Sequence, residues 1–163
     1  MKAIEKVDHS LHWTWSCQLQ LRRLIDSTKA EWTLHEQDPV KKRKVFSRTS
    51  YDEHMFLVAA CNLVRAVNLT VKDLPQLKRF IAHNEAIRLL RNIYEHWDEI
   101  RSGRRSRSVD DFRNKFPQAQ FFSITYTDRG PVIAGILSLR EFLVQLEELE
   151  KELLAVEAVQ KKK

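Results

Sequence analysis

Apolar residues recur every three or four positions over most of the chain, and this pattern predicts long helices. The first predicted helix runs from about Ile4 to Gln37 and is ended by Asp38-Pro39. The second begins at Ser50, because Glu53 three residues later completes a capping box. Its body, Met55 to Leu69, is apolar nearly all round, which is typical of a central helix buried on every side.

A basic linker and two further helices are predicted in the middle of the chain. Residues 41–49 are expected to form the linker between the first two helices. The third helix should run from about Pro75 to Arg101, and Gly103 suits its C-terminal cap. A short helix is expected over Ser108–Lys115, where Phe116-Pro117 ends the pattern.

A β-hairpin and a last helix complete the pattern. Apolar and polar side chains alternate within residues 120–135 on both sides of Asp128-Arg129-Gly130-Pro131, which predicts two strands and a turn. Ser138 and Glu141 form another capping box, and the last helix should run from Leu139 to about Gln160. We therefore expect one all-α domain over the whole chain: a bundle of four to five helices with a small β-hairpin inserted before the last helix.

Composition narrows the class of protein. The 163 residues fit one domain, and a chain of this size can bury an independent core. With three glycines and no P-loop, dinucleotide fingerprint or nucleophile elbow, no cofactor is expected. Cys17 and Cys61 lie far apart in helical patterns, so two buried free thiols are expected instead of metal ligands.

The location of the protein is expected to be cytoplasmic. The first sixteen residues carry charges and histidines where a secretory signal would have an apolar core. No apolar run is expected to span a bilayer, so a membrane is not among the expected partners.

The positive charge of the chain favours a polyanionic partner, because the formal net charge is +6. The basic residues cluster at 41–44, at 101–107 and at 161–163. Within the second cluster Arg101, Arg104, Arg105 and Arg107 are the candidate RNA-binding residues, since cations that neutralise phosphates release counterions. The alternative is that these cations serve solubility and favour the C-terminus of the preceding helix.

Residues 91–96, Arg-Asn-Ile-Tyr-Glu-His, carry the strongest candidate chemistry. RNA supplies its own nucleophile, the 2′-hydroxyl. A histidine can move protons near neutral pH, and the arginine fork matches phosphate oxygens. Five helical residues turn through about 140°, so Arg91 and His96 do not share a face, whereas Asn92 and His96 do. This chemistry makes Arg91 and His96 candidate catalytic residues, with Asn92 on the same face as His96, and no metal is needed.

This motif also has a plain alternative. The polar stripe that contains Asn92 and His96 could be a solvated helix face with Glu–Arg pairs. A similar arrangement, Arg48-Thr49 followed by His54, occurs elsewhere in the chain, so the spacing by itself is not distinctive.

Leu90 to Glu99 resembles the signature helix of the HEPN superfamily (higher eukaryotes and prokaryotes nucleotide-binding). That family is marked by an arginine, a polar residue directly after it, and a histidine four to six residues along. The order of helices is also similar, although the hairpin is not part of the family's minimal bundle. The resemblance implies a bundle that dimerises through the motif helix. It also implies, for active members, metal-independent RNA cleavage: Arg91 would engage the phosphate, Asn92 would support the site and His96 would be the acid–base group.

Two functions follow from the resemblance and stay open. The first is a metal-independent endoribonuclease of HEPN type, acting as a toxin or a defence component. The second is a non-catalytic HEPN-like dimer that binds nucleic acid or a partner protein, because many members of the family lack catalysis. RNA and a second copy of the chain are the expected partners. Some members pair with a minimal nucleotidyltransferase as antitoxin, so such a protein is a further candidate partner.

Overall fold

The chain folds as a mostly helical bundle with a small antiparallel sheet before the last helix, as predicted. The computed structural model describes residues 2–34, 38–96, 107–120, 124–128 and 130–161. The elements in chain order are α1 Ala3–Trp32, α2 Pro39–Val71, a 3-10 helix Pro75–Ile81, α3 Asn84–Glu95, α4 Arg107–Lys115, β1 Ile124–Thr127, β2 Gly130–Ile133, β3 Leu137–Ser138 and α5 Leu139–Gln160.

The two longest helices, α1 and α2, pack against each other in antiparallel directions. Hydroxyl groups connect them near both ends of the pair. The hydroxyls of Ser10 and Thr70 lie 2.9 Å apart, and at the other end Thr49 Oγ1 donates to the carbonyl of Ser27 at 3.4 Å. These polar groups are buried, so their hydrogen bonds help to fix the register of the two helices.

The second half of α2 is the centre of the core, as the sequence predicts. Its buried apolar residues are Phe56, Leu57, Ala59, Ala60, Cys61, Leu63, Val64, Ala66 and Val67. The last helix contributes a stripe in which Phe142, Leu146, Leu149 and Leu153 are buried and Val156 is partly buried. Phe56 and Phe142 meet edge to face, with ring centroids 5.8 Å apart, a favourable geometry for an aromatic pair.

The hairpin forms at the predicted place and gains a third strand. Ile124 pairs with Ile133 and Thr127 with Gly130, and the short β3 then pairs with β2. Gly130 has a φ of +98°, a conformation that side chains disfavour, so glycine suits this turn. Ser138 accepts a hydrogen bond from the backbone N–H of Glu141 at 3.4 Å, which confirms the predicted start of the last helix.

The predicted basic linker over residues 41–49 is wrong, because these residues belong to α2. Asp38 is the N-cap of that helix, and its carboxylate accepts from the N–H of Val40 at 2.8 Å. Pro39 occupies the first turn, where a proline is tolerated. Lysine and arginine are also good helix formers, so the charged run continues the helix. Glu53, expected in a capping box with Ser50, is instead buried inside this helix.

The predicted third helix is divided into two parts. The 3-10 helix ends at Ile81, and α3 begins at Asn84 and ends at Glu95. Leu77 and Phe80 are both buried, and the three-residue turn of a 3-10 helix places such i, i+3 side chains on one side. The predicted end of this helix at Arg101 lies outside the described residues. The first helix is also shorter than predicted and ends at Trp32.

One helix among the described residues, α2, is long and apolar enough to cross a membrane by length and composition, contrary to the expectation that no run would be. More than half of its most apolar window is buried inside the bundle. The buried core helix of a globular bundle passes the same test, so this finding carries little weight for a membrane location.

Removal of the contact between Phe56 and Phe142 tests whether the second half of α2 forms the core. We expect Phe56→Ala to lower the free energy of unfolding by about 3–5 kcal/mol, because it removes a fully buried ring and leaves a cavity. The measurement is urea unfolding followed by circular dichroism. As a control, Phe46→Ala lies on the same helix at a position that is 43% exposed, and it should cost less than about 1 kcal/mol. Equal losses in the two variants would contradict the assignment of the core.

Candidate functional site

The motif helix α3 places its three candidate catalytic residues at its C-terminal end. Arg91 and Asn92 are half-buried, and His96 is exposed. His96 is the C-cap residue, and its backbone N–H donates to the carbonyl of Asn92 at 3.2 Å. The sequence predicts this histidine in the middle of a longer helix. That prediction is wrong, because His96 lies at the end of α3.

The three residues share a helix end but not a face. The side chain of Arg91 forms an ion pair with Glu95, one turn along the same helix. Five residues of an ideal helix turn through about 140°, which would separate Arg91 from His96 within one chain. Arg91 also already has an anionic partner.

The two flanks of α3 face different neighbours. On one flank the thiol of Cys61 from α2 lies 3.8 Å from the carbonyl oxygen of Ile87. Burial raises the pKa of that thiol, and the nearby charge of Arg91 opposes the rise. On the other flank Lys115 of α4 is 3.1 Å from Glu85. The motif helix is therefore held between α2 and α4.

Three of the four predicted RNA-binding arginines, Arg101, Arg104 and Arg105, lie outside the described residues. Arg107 is the first residue of α4, and its side chain is 94% exposed, with Nε 3.9 Å from Asp111. An exposed i, i+4 pair at that distance is weak, so Arg107 is accessible to an anion.

A groove that the sequence analysis missed lies between the first half of α2 and the end of α3. Its volume is about 1100 Å3. The lining residues are Pro39, Lys42, Arg43, Phe46, Ser47, Ser50, Tyr51, Glu53, His54 and Tyr94. Nine of these come from α2 at helical spacing, so they share one face once residues 41–49 are helical. The same spacing was present in the sequence but was hidden by the assignment of a linker.

The lining of the groove changes along its length from cationic to aromatic. Lys42 and Arg43 stand at the end near the start of α2, and Phe46 and Tyr51 follow one and two turns later with 43% and 57% of their surface exposed. Exposed aromatic side chains of this size are available to a ligand. At the other end of the groove, the ring centroids of His54 and Tyr94 lie 6.4 Å apart. The groove can therefore hold an anion at one end and flat rings along its middle.

A buried carboxyl group lies behind this aromatic end. Glu53 is 4% exposed and forms a hydrogen bond with the hydroxyl of Tyr94. Its Oε1 has no hydrogen-bond partner among the residues that the structure describes. Burial raises the pKa of Glu53 to about 7, the Tyr94 hydrogen bond opposes this rise, and the charge of Glu31 on α1 adds to it. A carboxyl that changes charge near neutral pH therefore supports one wall of the groove.

The thiols and the acidic groups offer no metal site in the described part of the chain. Cys17 and Cys61 are free and buried, as predicted, and burial raises the pKa of both. No three histidine, cysteine or acidic side chains among the described residues are grouped so that they could hold a metal ion.

Comparisons of the chain with family models, with curated proteins and with solved structures give no match. The HEPN resemblance of residues 90–99 stays a prediction from the residues themselves.

The raised pKa of Glu53 predicts a pH-dependent stability. Because the folded pKa of about 7 exceeds the ordinary value of 4.5, the stabilisation is fully present below about pH 4.5 and is lost as the pH rises through 7. The difference between these two pKa values corresponds to about 3 kcal/mol in the free energy of unfolding. Glu53→Gln carries no such proton, so it should gain stability relative to the wild type between pH 5 and pH 8.

Urea unfolding of both proteins at several pH values measures this gain. Glu148→Gln is a matched control, since Glu148 is exposed on α5. Parallel pH profiles for the wild type and Glu53→Gln would show that this carboxyl ionises normally.

Proposed function

We propose that the chain binds single-stranded RNA in the groove between α2 and α3. The observation that carries this proposal is the combination of a cationic end with an exposed aromatic lining in one groove. Lys42 and Arg43 would neutralise phosphates, and bases would stack on the aromatic rings. Bases in a duplex are not available for such stacking, so a single strand is the better fit.

The dimensions of the groove support a short stretch of RNA. Lys42 and His54 both line it, and twelve helical residues span about 18 Å. That length corresponds to roughly five stacked nucleotides at about 3.4 Å each. Ser47 and Ser50 are exposed on the groove side, and their hydroxyls suit contacts to the ribose 2′-hydroxyl, the group that distinguishes RNA from DNA.

Charge on the rest of the first half of α2 adds to this support. Lys41, Lys44 and Arg48 are exposed on the same half of the helix. They do not line the groove but lie close enough to attract a polyanion, since exposed charges act over a Debye length of about 8 Å at physiological salt.

The groove cations should set the salt dependence of RNA binding. We expect the double variant Lys42→Ser/Arg43→Ser to weaken binding and to reduce the slope of log affinity against log salt by roughly 1.4, because two phosphate contacts to a single strand are lost. The measurement is fluorescence anisotropy of a labelled 12-nucleotide RNA over a range of potassium chloride concentrations.

A second pair of cations provides the control for this experiment. Lys72 and Lys78 are exposed, and Lys72 lies about 45 Å along α2 from Lys42. Lys72→Ser/Lys78→Ser removes the same charge and should leave the slope almost unchanged. Equal slopes for the two double variants would show that net charge, and not the groove, governs binding.

A second candidate function is metal-independent RNA cleavage, with Arg91, Asn92 and His96 in the roles that the HEPN resemblance implies. The observation that favours it is the position of Tyr94, which belongs to the motif and also forms the groove wall. RNA in the groove would therefore pass close to the end of α3, where His96 is exposed. A homodimer with antiparallel motif helices would bring one chain's arginine toward its partner's histidine.

Cleavage can be tested separately from binding. We expect single-stranded RNA to be cut in the presence of EDTA, leaving a 2′,3′-cyclic phosphate, while DNA stays intact because it lacks the internal nucleophile. His96→Ala should lower the rate by about 10²–10⁴, and Arg91→Ala by about 10²–10³. The exposed His9 on α1 gives the control variant His9→Ala. Intact RNA with wild-type protein, alongside normal binding, would leave the binding function alone.

A further inference from the structure

We infer that Glu53 makes the groove sensitive to protons: the groove takes RNA when this carboxyl is protonated and releases it when the carboxyl is ionised. The inference rests on the proposed function, because it concerns the same groove. It adds a control of the site that the binding proposal does not require.

The geometry places Glu53 where its charge state matters to the groove. Its carboxyl group is buried at the contact between α2 and α3. It forms a hydrogen bond with the hydroxyl of Tyr94, and the ring of Tyr94 is part of the groove wall. Oε1 has no hydrogen-bond partner in the described part of the chain. Any movement of this carboxyl is therefore passed directly to a residue that would contact the ligand.

Among the residues that the structure describes, the charges around Glu53 do not compensate its ionised form. From α1 the charge of Glu31, which is also acidic, acts on Glu53. Arg23 on α1 and Arg48 on α2 are close to a different carboxylate, the fully buried Asp52, at 3.2 and 3.8 Å. From α3 the group that faces Glu53 is the neutral hydroxyl of Tyr94.

On α2 itself, the remaining charged or titratable groups of the groove are Lys42, Arg43, Tyr51 and His54. Lys42 and Arg43 lie ten or more residues away, which is about 15 Å along the helix. His54 is the next residue in the chain but points about 100° away around the helix. An ionised Glu53 is therefore a buried charge with weak compensation, which is costly.

Two physical effects then lower RNA affinity when Glu53 ionises. The negative charge at the groove wall repels the phosphates of the ligand, and low local polarity strengthens this repulsion. The buried charge also gains solvation if the carboxylate moves toward water, and that movement displaces Tyr94 from its stacking position. The rise in the pKa of Glu53 to about 7 places both effects in the physiological range.

His54 follows Glu53 in the chain and also lines the groove, so its contribution to RNA affinity is measured separately. The two residues can be separated by isosteric variants. Glu53→Gln keeps a hydrogen-bonding group but cannot ionise, and His54→Gln keeps polarity but removes the titrating ring.

The experiment measures RNA affinity by fluorescence anisotropy at pH 6, 7 and 8 and constant ionic strength. Wild-type affinity should fall by roughly tenfold across this range, the change that one linked proton produces over about one pH unit. Glu53→Gln should keep at pH 8 the affinity it has at pH 6, apart from a small contribution of His54. His54→Gln should keep most of the wild-type fall. A fall that persists in Glu53→Gln and disappears in His54→Gln would overturn the inference.

A second measurement separates this inference from the RNA-binding proposal. In protein with ¹³C-labelled tyrosine, assigned with the help of Tyr94→Phe, the Tyr94 ring signals should shift with a midpoint near pH 7 in the wild type and stay constant in Glu53→Gln. A shift without RNA binding at any pH would refute the RNA function and support the proton-sensitive groove. Constant Tyr94 signals in the wild type would overturn the inference, whatever the RNA result.

Discussion

Burial of the second half of α2 is the constraint on which the rest of the structure depends. From Phe56 to Val67 this helix is apolar on nearly every side and buried on nearly every side, and full burial of each large side chain contributes about 1.5–3 kcal/mol. No single neighbour can cover such a surface. The helix α1, the 3-10 helix, α3 and α5 all pack around this core, so their positions follow from the need to cover it.

The same constraint explains the groove. The first half of α2, up to Tyr51, has few apolar residues and is largely exposed, so the bundle has little to gain by covering it. Where the covered half begins, the helix carries two consecutive acidic residues, Asp52 and Glu53, both buried. Asp52 is compensated by Arg23 at 3.2 Å. Glu53 instead meets the hydroxyl of Tyr94, so the unusual chemistry of the groove arises at the boundary between the two halves of one helix.

The sequence predicts the helical bundle and the hairpin well, because both depend on local periodicity. The stripe on α5 and the central half of α2 are continuous over several turns, and the turn before Gly130 has the residues that such a turn requires. The prediction of a linker over residues 41–49 is wrong because a high density of charge does not exclude a helix. Asp38-Pro39 ends the pattern of the first predicted helix. The same two residues are also favourable as the N-cap and first residue of the next helix.

The parts of the site that could not be predicted depend on contacts between distant residues. The division of the third helix leaves its apolar pattern unbroken, and burial of Leu77 and Phe80 decides the local geometry. The groove needs Tyr94 next to the face of α2, and no spacing within either helix encodes that contact. The buried position of Glu53 follows from the same packing, whereas its sequence pattern indicated an exposed cap.

The strength of the ion pair between Arg91 and Glu95 bears on whether Arg91 is available for RNA cleavage. Its ion pair with Glu95 joins two partly buried side chains, and an exposed i, i+4 ion pair on a helix contributes about 0.3–0.5 kcal/mol. A hydrogen bond between a charged group and a phosphate contributes about 1.5–3 kcal/mol. A phosphate at the end of α3 can therefore displace Glu95 at low cost. The ion pair with Glu95 therefore leaves the motif compatible with cleavage.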